Sequence, residues 1–312
     1  MAEQTLKQVR AAFGEALAEL GDSIPNLVVL DADISASLNT GKFAQKYPQR
    51  HINYGVAEQN MMIGAAGMAT LGLIPLACTY ATFATMRACE QLRSFICYAN
   101  LDVKIIASHG GIEVGWDGPT HQGCEDIAIT RAMPNMTVIV PADAASVPAL
   151  LHQAVTRPGP VYFRMGRNPV PLIYGSRQKF EVGRAIRLAA GRDVLLVACG
   201  VMVSVALDAL ELLAARGIKA GLLDMHTIKP LDRSALLTAA EGTPLVVTLE
   251  DHNIIGGLGS AVAECLSERM PTRMLRIGIP DRFAESGDPT LLFKNFGMDA
   301  VSAAEKIASN LG

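Results

Sequence analysis

The chain has 312 residues, of which 50% are apolar, and carries a formal net charge of −3 with its Lys and Arg residues scattered along the sequence. This length and apolar content are sufficient for two ordinary α/β domains, each with its own buried core. Binding to nucleic acid or to an acidic membrane surface depends on clustered positive charge, so the sequence argues against both kinds of partner. We therefore expect the partners to be small molecules or other proteins.

Six cysteines are spread along the chain without a CxxC pair, a pattern that indicates neither a zinc site nor a disulfide framework. They are expected to be reduced thiols, mostly in the core. The N-terminal stretch MAEQTLKQVRAAFGEAL alternates charged and apolar residues at helical spacing, unlike a signal peptide or a membrane span. The protein is accordingly predicted to be cytoplasmic.

Predicted helices and apolar strands alternate through the first half of the chain. The predicted helices are 6–20, 61–71, 83–98, 124–133 and 144–155, and the predicted strands are 26–30, 74–77, 103–107, 137–140 and 161–163. Strands interleaved with helices and joined by short Gly- or Pro-bearing loops are typical of a parallel sheet that helices cover on both faces. Residues 1–178 are therefore predicted to form a first α/β domain.

The apolar periodicity weakens between residues 172 and 192, where Tyr174 to Gln178 form a polar connector. A βαβαβαβ pattern follows. The predicted strands are 193–200, 220–232 and 274–280, the predicted helices are 204–216 and 233–241, and 244–266 holds a strand and then a helix. Residues 190–312 are therefore predicted to form a second domain, which makes the fold two three-layer α/β domains with mostly parallel sheets.

One carboxylate lies at the start of an otherwise small and apolar stretch. Residues 54–67 read YGVAEQNMMIGAAG, with Glu58 as the only acid. A buried unpaired charge costs far more than one apolar contact returns, so Glu58 is expected to have a binding partner. The alternative is an acid in the first turn of a helix, which the helix dipole favours without any ligand. The stretch alone leaves both interpretations open.

A second candidate site is the long polar loop after the predicted strand 103–107. It reads SHGGIEVGWDGPTHQGCED and contains His109, Asp117 and His121. Loops at the carboxyl ends of parallel strands are where α/β folds place their sites, and this residue set suggests proton transfer or oxyanion binding. A metal site is the competing interpretation, but no further ligand stands at short spacing from either histidine. Several glycines imply that the backbone is held close to something.

Two further patterns are weaker. Tyr80 and Phe83 lie three residues apart in CTYATFATMRACEQLR, where aromatic residues are more often core than a cofactor platform. The stretch GGLGSA at Gly256 to Ala261 could hold a phosphate or begin a helix. We favour the helix, because Ser260 and the small residues after it suit tight helix packing.

Taken together, four stretches resemble the second half of transketolase over nearly the whole chain. They are YGVAEQNMMIGAAGMA, CTYATFATMRACEQLR, HGGIEVGWDGPTHQGCEDIAITRAMPNMTVIVPAD and EDHNIIGGLGSAVAE. The third is the most specific, since GxDGPTHQ followed by PNMTVxxPAD is hard to reach by chance. The resemblance implies a pyrimidine-binding domain from Met1 to about Gln178, followed by the family's C-terminal domain.

The resemblance also assigns cofactor-binding residues. Glu58 matches the family glutamate that hydrogen-bonds the aminopyrimidine ring of thiamine diphosphate, which would explain a carboxylate in an apolar segment. Phe83 matches the ring that stacks on the pyrimidine, and Tyr80 matches an aromatic residue of the same pocket. Met86 stands where some relatives carry an aromatic residue, so this wall of the pocket is softer than theirs.

Substrate contacts follow from the same resemblance. His109 matches a substrate-contacting histidine, Asp117 the acid that reads the hydroxyl beside the ketose carbonyl, and His121 the histidine that assists proton transfer at the sugar hydroxyls. The family's phosphate contacts fall on positions matching Arg10, Ser37 and Arg167. Arginine suits phosphate, and Arg164 is close enough in sequence to be the alternative to Arg167.

The sequence departs from transketolase in one respect. The family normally carries a GDG motif and a downstream Asn that hold magnesium and the cofactor diphosphate, and this chain has neither, so no metal ligand is assigned to it. It therefore resembles the second subunit of a split transketolase that moves a two-carbon ketol group between sugar phosphates. The expected assembly is an α2β2 heterotetramer in which the partner subunit holds Mg²⁺. The chain alone is expected to be an inactive homodimer.

Three alternatives share the predicted layout. Deoxyxylulose phosphate synthase normally carries all its domains in one chain, and the beta subunit of a 2-oxo acid dehydrogenase works with a lipoyl partner. Asp117 and the phosphate-matching residues favour sugar phosphates over both. A non-catalytic scaffold with this fold would have no need of Glu58, Phe83 and His109 together. The identity of the ketose donor and the aldose acceptor is left open.

Overall fold

Two large sheets organise the computed structural model, which describes residues 5–311. The elements of the first half are β1 (Leu6–Gln8), α1 (Val9–Ser23), β2 (Leu27–Asp31), α2 (Ser35–Leu38), α3 (Gly41–Lys46), β3 (His51–Asn53), α4 (Glu58–Thr70), β4 (Ile74–Tyr80), β5 (Lys104–Ser108), α5 (Asp126–Ala132), β6 (Thr137–Ile139), α6 (Val147–Thr156), β7 (Val161–Arg164) and β8 (Pro169–Pro171). Short 3₁₀ segments cover Pro48–Arg50 and Ile112–Asp117, and π-helical segments cover Phe83–Arg87 and Gln91–Cys97.

The second half is built in the same way. Its elements are β9 (Ile186–Ala189), β10 (Val194–Ala198), α7 (Met202–Ala214), β11 (Ala220–Asp224), β12 (Thr227–Lys229), α8 (Arg233–Ala240), β13 (Val246–Asn253), α9 (Leu258–Arg269), β14 (Met274–Ile279), α10 (Pro289–Asn295) and α11 (Ala300–Leu311). In the part of the chain that is described, no helix combines the length and apolar character that crossing a membrane requires.

The larger sheet has seven strands in the order β12-β6-β7-β5-β4-β2-β3, and the second has five in the order β14-β13-β10-β11-β9. Each is parallel except for one antiparallel edge strand, β12 in the first and β9 in the second. Central strands such as β2 (LVVLD) and β10 (VLLVA) are buried along their whole length, as parallel strands covered on both faces are. The predicted α/β class with mostly parallel sheets is confirmed.

The two halves share their apolar cores. One cluster of buried side chains contains Phe13 and Phe163 of the first half together with Leu196 and Val247 of the second. The strand β12 strengthens this junction, because it lies in the sequence of the second half but pairs with β6 of the first sheet. The region 220–232, which we expected to be a single strand, is therefore divided between two sheets.

Three further details differ from the sequence prediction. The first predicted helix begins at Val9 instead of residue 6, because Leu6–Gln8 pairs antiparallel with β8. The predicted helix 83–98 is not α-helical but contains the two π-helical segments. The second sheet begins at Ile186, before the expected domain start at residue 190, because β9 pairs with β11.

Candidate active site

The candidate residues gather at one edge of the larger sheet, where four neighbouring parallel strands end. Ser37 follows β2, Tyr80 ends β4, His109 follows β5 and Arg167 follows β7. Such an edge is where open parallel sheets place their ligands. The pairing of β1 with β8 adds Arg10, because it brings the first turn of α1 beside Arg167.

Glu58 is the first residue of α4 and is 2% exposed. Its Oε2 accepts a hydrogen bond from Nη1 of Arg87 at 2.8 Å, and its Oε1 has no hydrogen-bond partner among residues 5–311. The Arg87 guanidinium also lies over the ring of Phe83, with 4.3 Å between Cζ and the ring centroid. Glu58 is thus both a helix N-terminal acid and a paired carboxylate, so the two interpretations are compatible.

Arg87 is the site residue that sequence reasoning missed. It stands within the run Arg87, Glu90 and Arg93, whose helical spacing looks like an ordinary solvent-facing series. A π-helix makes one turn with an extra residue and is found at functional sites more often than elsewhere. The π-helical segment Phe83–Arg87 contains both the Phe83 ring and the Arg87 guanidinium that lies over it, and no local sequence pattern predicts this segment.

Four rings pack together between Glu58 and the long loop. His109 stacks on Tyr80 with 3.8 Å between centroids and an interplanar angle of 25°, and His121 meets Phe83 edge-on at 5.2 Å. Tyr80 and Phe83 lie 5.7 Å apart in a stacked arrangement. The hydroxyl of Tyr80 donates to Oγ of Ser37 at 2.9 Å, which fixes the ring at the sheet edge. The aromatic pair thus lies beside both histidines at the sheet edge, and Tyr80 also packs against the apolar core.

His109 is a neutral hydrogen-bonding group in this arrangement. It is 2% exposed, and its burial, followed by the positive charges of Arg10 and Arg167, lowers its pKa to about 3. The residue has φ of +61°, a left-handed conformation that non-glycine residues seldom adopt and that is found most often at functional sites. The sequence suggested proton transfer near neutral pH, but a histidine with this pKa does not titrate there.

Two arginines and one aspartate lie beside His109. Arg10 donates through Nε and Nη2 to the carbonyl oxygen of Arg167 at 3.1 and 2.9 Å, and through Nη1 to that of Ser37. The Arg167 guanidinium reaches to 3.5 Å from Oδ1 of Asp117, whose Oδ2 lies 3.8 Å from Nε2 of His109. Burial and then Arg167 lower the pKa of Arg10, as expected for two crowded cations.

Arg164 has an interior role instead. It is 5% exposed, and its Nε and Nη2 bind the carboxylate of Asp126 at 2.7 and 3.2 Å. Nη2 also donates to the carbonyl oxygens of Gly123 and Asp251. The carboxylate of Asp126 raises the pKa of Arg164 against the effect of burial. Between the two arginines that the sequence left open, Arg167 is the one that lies among the candidate residues.

Two glycines of the long loop are needed for close contact with groups of the protein itself. A side chain at Gly110 would collide with the Arg164 guanidinium, and one at Gly111, which has φ of +85°, would collide with the Asp251 carboxylate. The backbone is held close to protein groups below it. Glu113 of this loop is 3% exposed, and its carboxylate accepts hydrogen bonds from the backbone of Arg167 and Asn168.

The stretch Gly256 to Ala261 begins a helix, as the sequence favoured. The backbone N–H groups of Leu258 and Gly259, at the start of α9, donate to the Glu250 carboxylate at 2.6 and 2.8 Å. A side chain at Gly257 would collide with the same carboxylate. The helix N-terminus, which was the alternative phosphate site, is therefore occupied by the Glu250 side chain.

A cavity of about 410 Å³ opens beside the ring cluster. It lies between the two halves of the chain, and its lining includes Thr82, Met86 and Thr120 from the first and Arg282 and Phe283 from the second. Met86, which the resemblance assigned to the cofactor pocket, is 46% exposed and lines this cavity. Within residues 5–311, no three His, Cys, Asp or Glu side chains are arranged to hold a metal ion.

Comparison with known proteins identifies the family. The model of the transketolase pyrimidine-binding domain matches residues 6–171, and that of the transketolase C-terminal domain matches residues 183–302. The chain belongs to the transketolase family. Its match to transketolase thus includes both predicted domains in the predicted order.

Similar proteins include separate transketolase subunits. A putative transketolase C-terminal section from Methanocaldococcus jannaschii is 46% identical, with 98% of this chain and 96% of the relative covered. A 6-deoxy-6-sulfo-D-fructose transketolase subunit from Clostridium sp. (strain MSTE9) is 41% identical, with 96% and 94% covered. A solved structure described as a split gene transketolase, inactive beta4 tetramer, superposes with a TM-score of 0.91 at 46% identity and covers 97% of this chain and 98% of its own.

The residues around Glu58 fit the pyrimidine end of thiamine diphosphate, the cofactor that transketolases generally use. Among residues 5–311, the buried Glu58 carboxylate keeps one oxygen without a partner, and the Arg87 guanidinium that binds its other oxygen lies over the Phe83 ring. An aminopyrimidine ring offers the same two features, a nitrogen for the carboxylate and a flat face for the ring. Glu58 and Phe83 would hold that end.

Replacement of the two neighbouring arginines should separate their roles. We expect Arg164→Met to lower the free energy of unfolding by about 3–5 kcal/mol, because Asp126 would be left as a buried unpaired charge. Arg167→Met should cost only about 1 kcal/mol, because its side chain is about a third exposed. Guanidinium denaturation of both variants measures the difference. Equal losses would contradict the interior assignment of Arg164.

Proposed function

We propose that this chain is one subunit of a thiamine diphosphate-dependent transketolase that transfers a two-carbon ketol unit from a ketose phosphate to an aldose phosphate. One observation carries the proposal: a buried carboxylate, Glu58, and an arginine pair, Arg10 and Arg167, lie at the two ends of one ring cluster on the same sheet edge. The first suits a pyrimidine and the second suits a phosphate.

When bound, the cofactor supplies stabilisation of a carbanion at the carbon that is transferred. Glu58 holds a proton at the pyrimidine nitrogen, and burial strengthens that hydrogen bond because no water competes for the carboxylate. Phe83 orients the ring by stacking. Arg87 forms an ion pair with Oε2 of Glu58, and this pairing lowers the cost of burying the Glu58 carboxylate in the folded chain.

The remaining residues act on the sugar. Asp117 accepts a hydrogen bond from the hydroxyl beside the ketose carbonyl, and neutral His109 donates one or accepts one without gaining charge. His121, held at its Nδ1 by the Thr120 hydroxyl at 3.0 Å, moves protons at the sugar hydroxyls. Arg10 and Arg167 bind the phosphate together with Ser37. The sulfosugar named for the Clostridium relative also ends in a tetrahedral anion, which supports an anion-binding role for the arginines.

A second polypeptide is part of the proposal and is expected to hold Mg²⁺ and the cofactor diphosphate. Relatives that match this chain from end to end include a C-terminal section, a subunit and a split-gene structure, and the last is described as inactive in its beta4 form. Large apolar side chains are exposed around Glu58, as on a surface that a partner covers: Val56, Ile63, Met86 and Phe95. The proposed active assembly is an α2β2 heterotetramer built on a homodimer of this chain.

Glu58→Gln should remove most of the ketol transfer of the reconstituted enzyme, by a factor of roughly 10²–10⁴ in kcat. The amide keeps the shape of the side chain but cannot stabilise a protonated ring nitrogen. Steady-state kinetics with the partner subunit measures the loss, and circular dichroism checks the fold. Glu90→Gln, an exposed glutamate in the same region, is the matched control. Near-normal turnover of Glu58→Gln would refute the assignment.

Asp117→Ala should weaken discrimination between sugars of different hydroxyl configuration. Loss of a hydrogen-bond partner for one substrate hydroxyl costs about 1–3 kcal/mol, which is roughly 5- to 150-fold in kcat/KM. The ratio of kcat/KM for two ketose phosphate epimers measures the change, and calorimetry with the cofactor is the control. If cofactor affinity fell while sugar preference stayed constant, Asp117 would belong to the cofactor end instead.

The chain purified alone should bind thiamine diphosphate and magnesium weakly, because the proposed diphosphate and metal ligands lie on the other subunit. Addition of a GDG-bearing transketolase subunit should restore tight binding and ketol transfer. Isothermal titration calorimetry of the isolated chain, with and without that subunit, makes the comparison. Tight binding together with ketol transfer by this chain alone would refute the split-enzyme proposal.

A further inference from the structure

Two buried carboxylates below the site take no part in the proposed chemistry. Glu113 and Asp251 are each 3% exposed, and their carboxylates bind backbone N–H groups. Burial, with a further contribution from Asp251, raises the pKa of Glu113 to about 7. Burial raises the pKa of Asp251 to about 6, and the nearby carboxylate of Asp126 acts in the same direction. Two adjacent buried carboxyl groups destabilise the folded state unless their oxygens form hydrogen bonds that apolar side chains could not form.

The Glu113 carboxylate binds the backbone that carries Arg167. Its Oε1 accepts hydrogen bonds from the N–H of Arg167 and, at 3.4 Å, from that of Asn168. The Asn168 side chain donates back to the carbonyl oxygen of Glu113. A side chain at Gly166 would collide with the Glu113 carboxylate, so the segment passes directly against it. Glu113 therefore sets where the Arg167 peptide lies.

The backbone of Arg167 also binds the side chain of Arg10. The carbonyl oxygen of Arg167 accepts hydrogen bonds from Nε and Nη2 of Arg10. The Arg167 side chain donates to the carbonyl oxygen of Val114 at 3.0 Å. A shift of the Arg167 backbone would move both cations at once. Their spacing, which decides whether they can grip one phosphate together, thus depends on the contact with Glu113.

Asp251 holds Glu113 from the second half of the chain. Its Oδ1 accepts from the N–H of Ile112 at 2.9 Å and its Oδ2 from that of Glu113 at 3.2 Å. Gly111 allows this approach because it has no side chain. The carbonyl oxygen of Asp251 accepts from Arg164, so the aspartate is itself fixed to the interior ion pair.

We propose that Glu113 is a positioning residue that places Arg167 and, through it, Arg10 for binding the anionic end of the substrate, and that Asp251 of the C-terminal domain holds Glu113 in place. This inference deepens the proposed function and rests on it for the identity of the substrate. It gives the C-terminal domain a part in anion binding, although Asp251 itself lies below the site.

Two substitutions separate the position of the Glu113 oxygen from its charge. Glu113→Gln keeps an acceptor oxygen at the same reach and loses the charge, whereas Glu113→Asp keeps the charge and shortens the reach by one methylene. The probe is inorganic phosphate, titrated into the full chain by calorimetry. We expect Glu113→Asp to weaken phosphate binding about tenfold, as loss of a buried hydrogen bond does, and Glu113→Gln to stay within about threefold of the parent.

Glu250→Asp is the matched control, since Glu250 is also a buried glutamate that binds two backbone N–H groups but lies at the start of α9. It should lower the thermal stability without changing phosphate affinity. In the reconstituted enzyme, Glu113→Asp should raise KM for a ketose phosphate about tenfold, leave kcat within about twofold, and leave KM for the unphosphorylated ketose unchanged. Asp251→Asn puts an amide N–H against a backbone N–H, so it should also weaken phosphate binding and raise KM for the ketose phosphate.

Three results would overturn the inference: unchanged phosphate affinity in Glu113→Asp, an equal loss in Glu113→Gln, or an equal loss in Glu250→Asp. The first would mean that Arg167 is placed without Glu113, the second that phosphate binding does not depend on the position of the Glu113 oxygen in particular, and the third that any core damage loosens the site. If Glu113→Asp does not fold, Asp251→Asn decides by the same titration. Absence of ketol transfer by the parent enzyme would refute the proposed function alone, because the phosphate titrations do not depend on activity.

Discussion

The guanidinium of Arg164 joins the parts of the chain that shape the site. It binds the Asp126 carboxylate of α5, the carbonyl oxygen of Gly123 at the far end of the long loop, and that of Asp251 in β13. Each member is buried, so removal of any one would leave a desolvated charge or dipole without a partner. The loop that carries His109 is therefore held from below by groups that never meet a ligand, which is how a rigid site is built.

The electrostatic balance above this ion pair favours an anion. Arg10 and Arg167 lie close enough for each to feel the other's charge, and His109 beside them stays neutral because burial and the same two cations lower its pKa to about 3. Asp117, 3.5 Å from Arg167, is the nearby opposing charge. A phosphate or sulfonate would relieve the repulsion between the arginines, whereas a second cation would add to it.

Much of the fold could be predicted because buried parallel strands have a local signature. Apolar runs such as LVVL in β2 predicted the strand positions within a residue or two. The short strands β1 and β12 could not be predicted, since a run of three residues is too short to show an apolar period of its own. Both form only because a distant strand offers a free edge, and both matter, because β1 places Arg10 and β12 joins the two halves.

The same distinction explains the site. Glu58, His109 and Asp117 could be singled out because a polar residue in an apolar or glycine-rich stretch is unusual locally. Arg87 and Glu113 could not, because their roles depend on a π-helical turn and on a backbone segment more than fifty residues away. The residues fall into two groups. The polar atoms of the first group are hydrogen-bonded within the protein, whereas each residue of the second group keeps an atom available to a ligand at the sheet edge, as Glu58 does with Oε1. The first group supports folding without a ligand, so the shape of the site is fixed before the second group meets one.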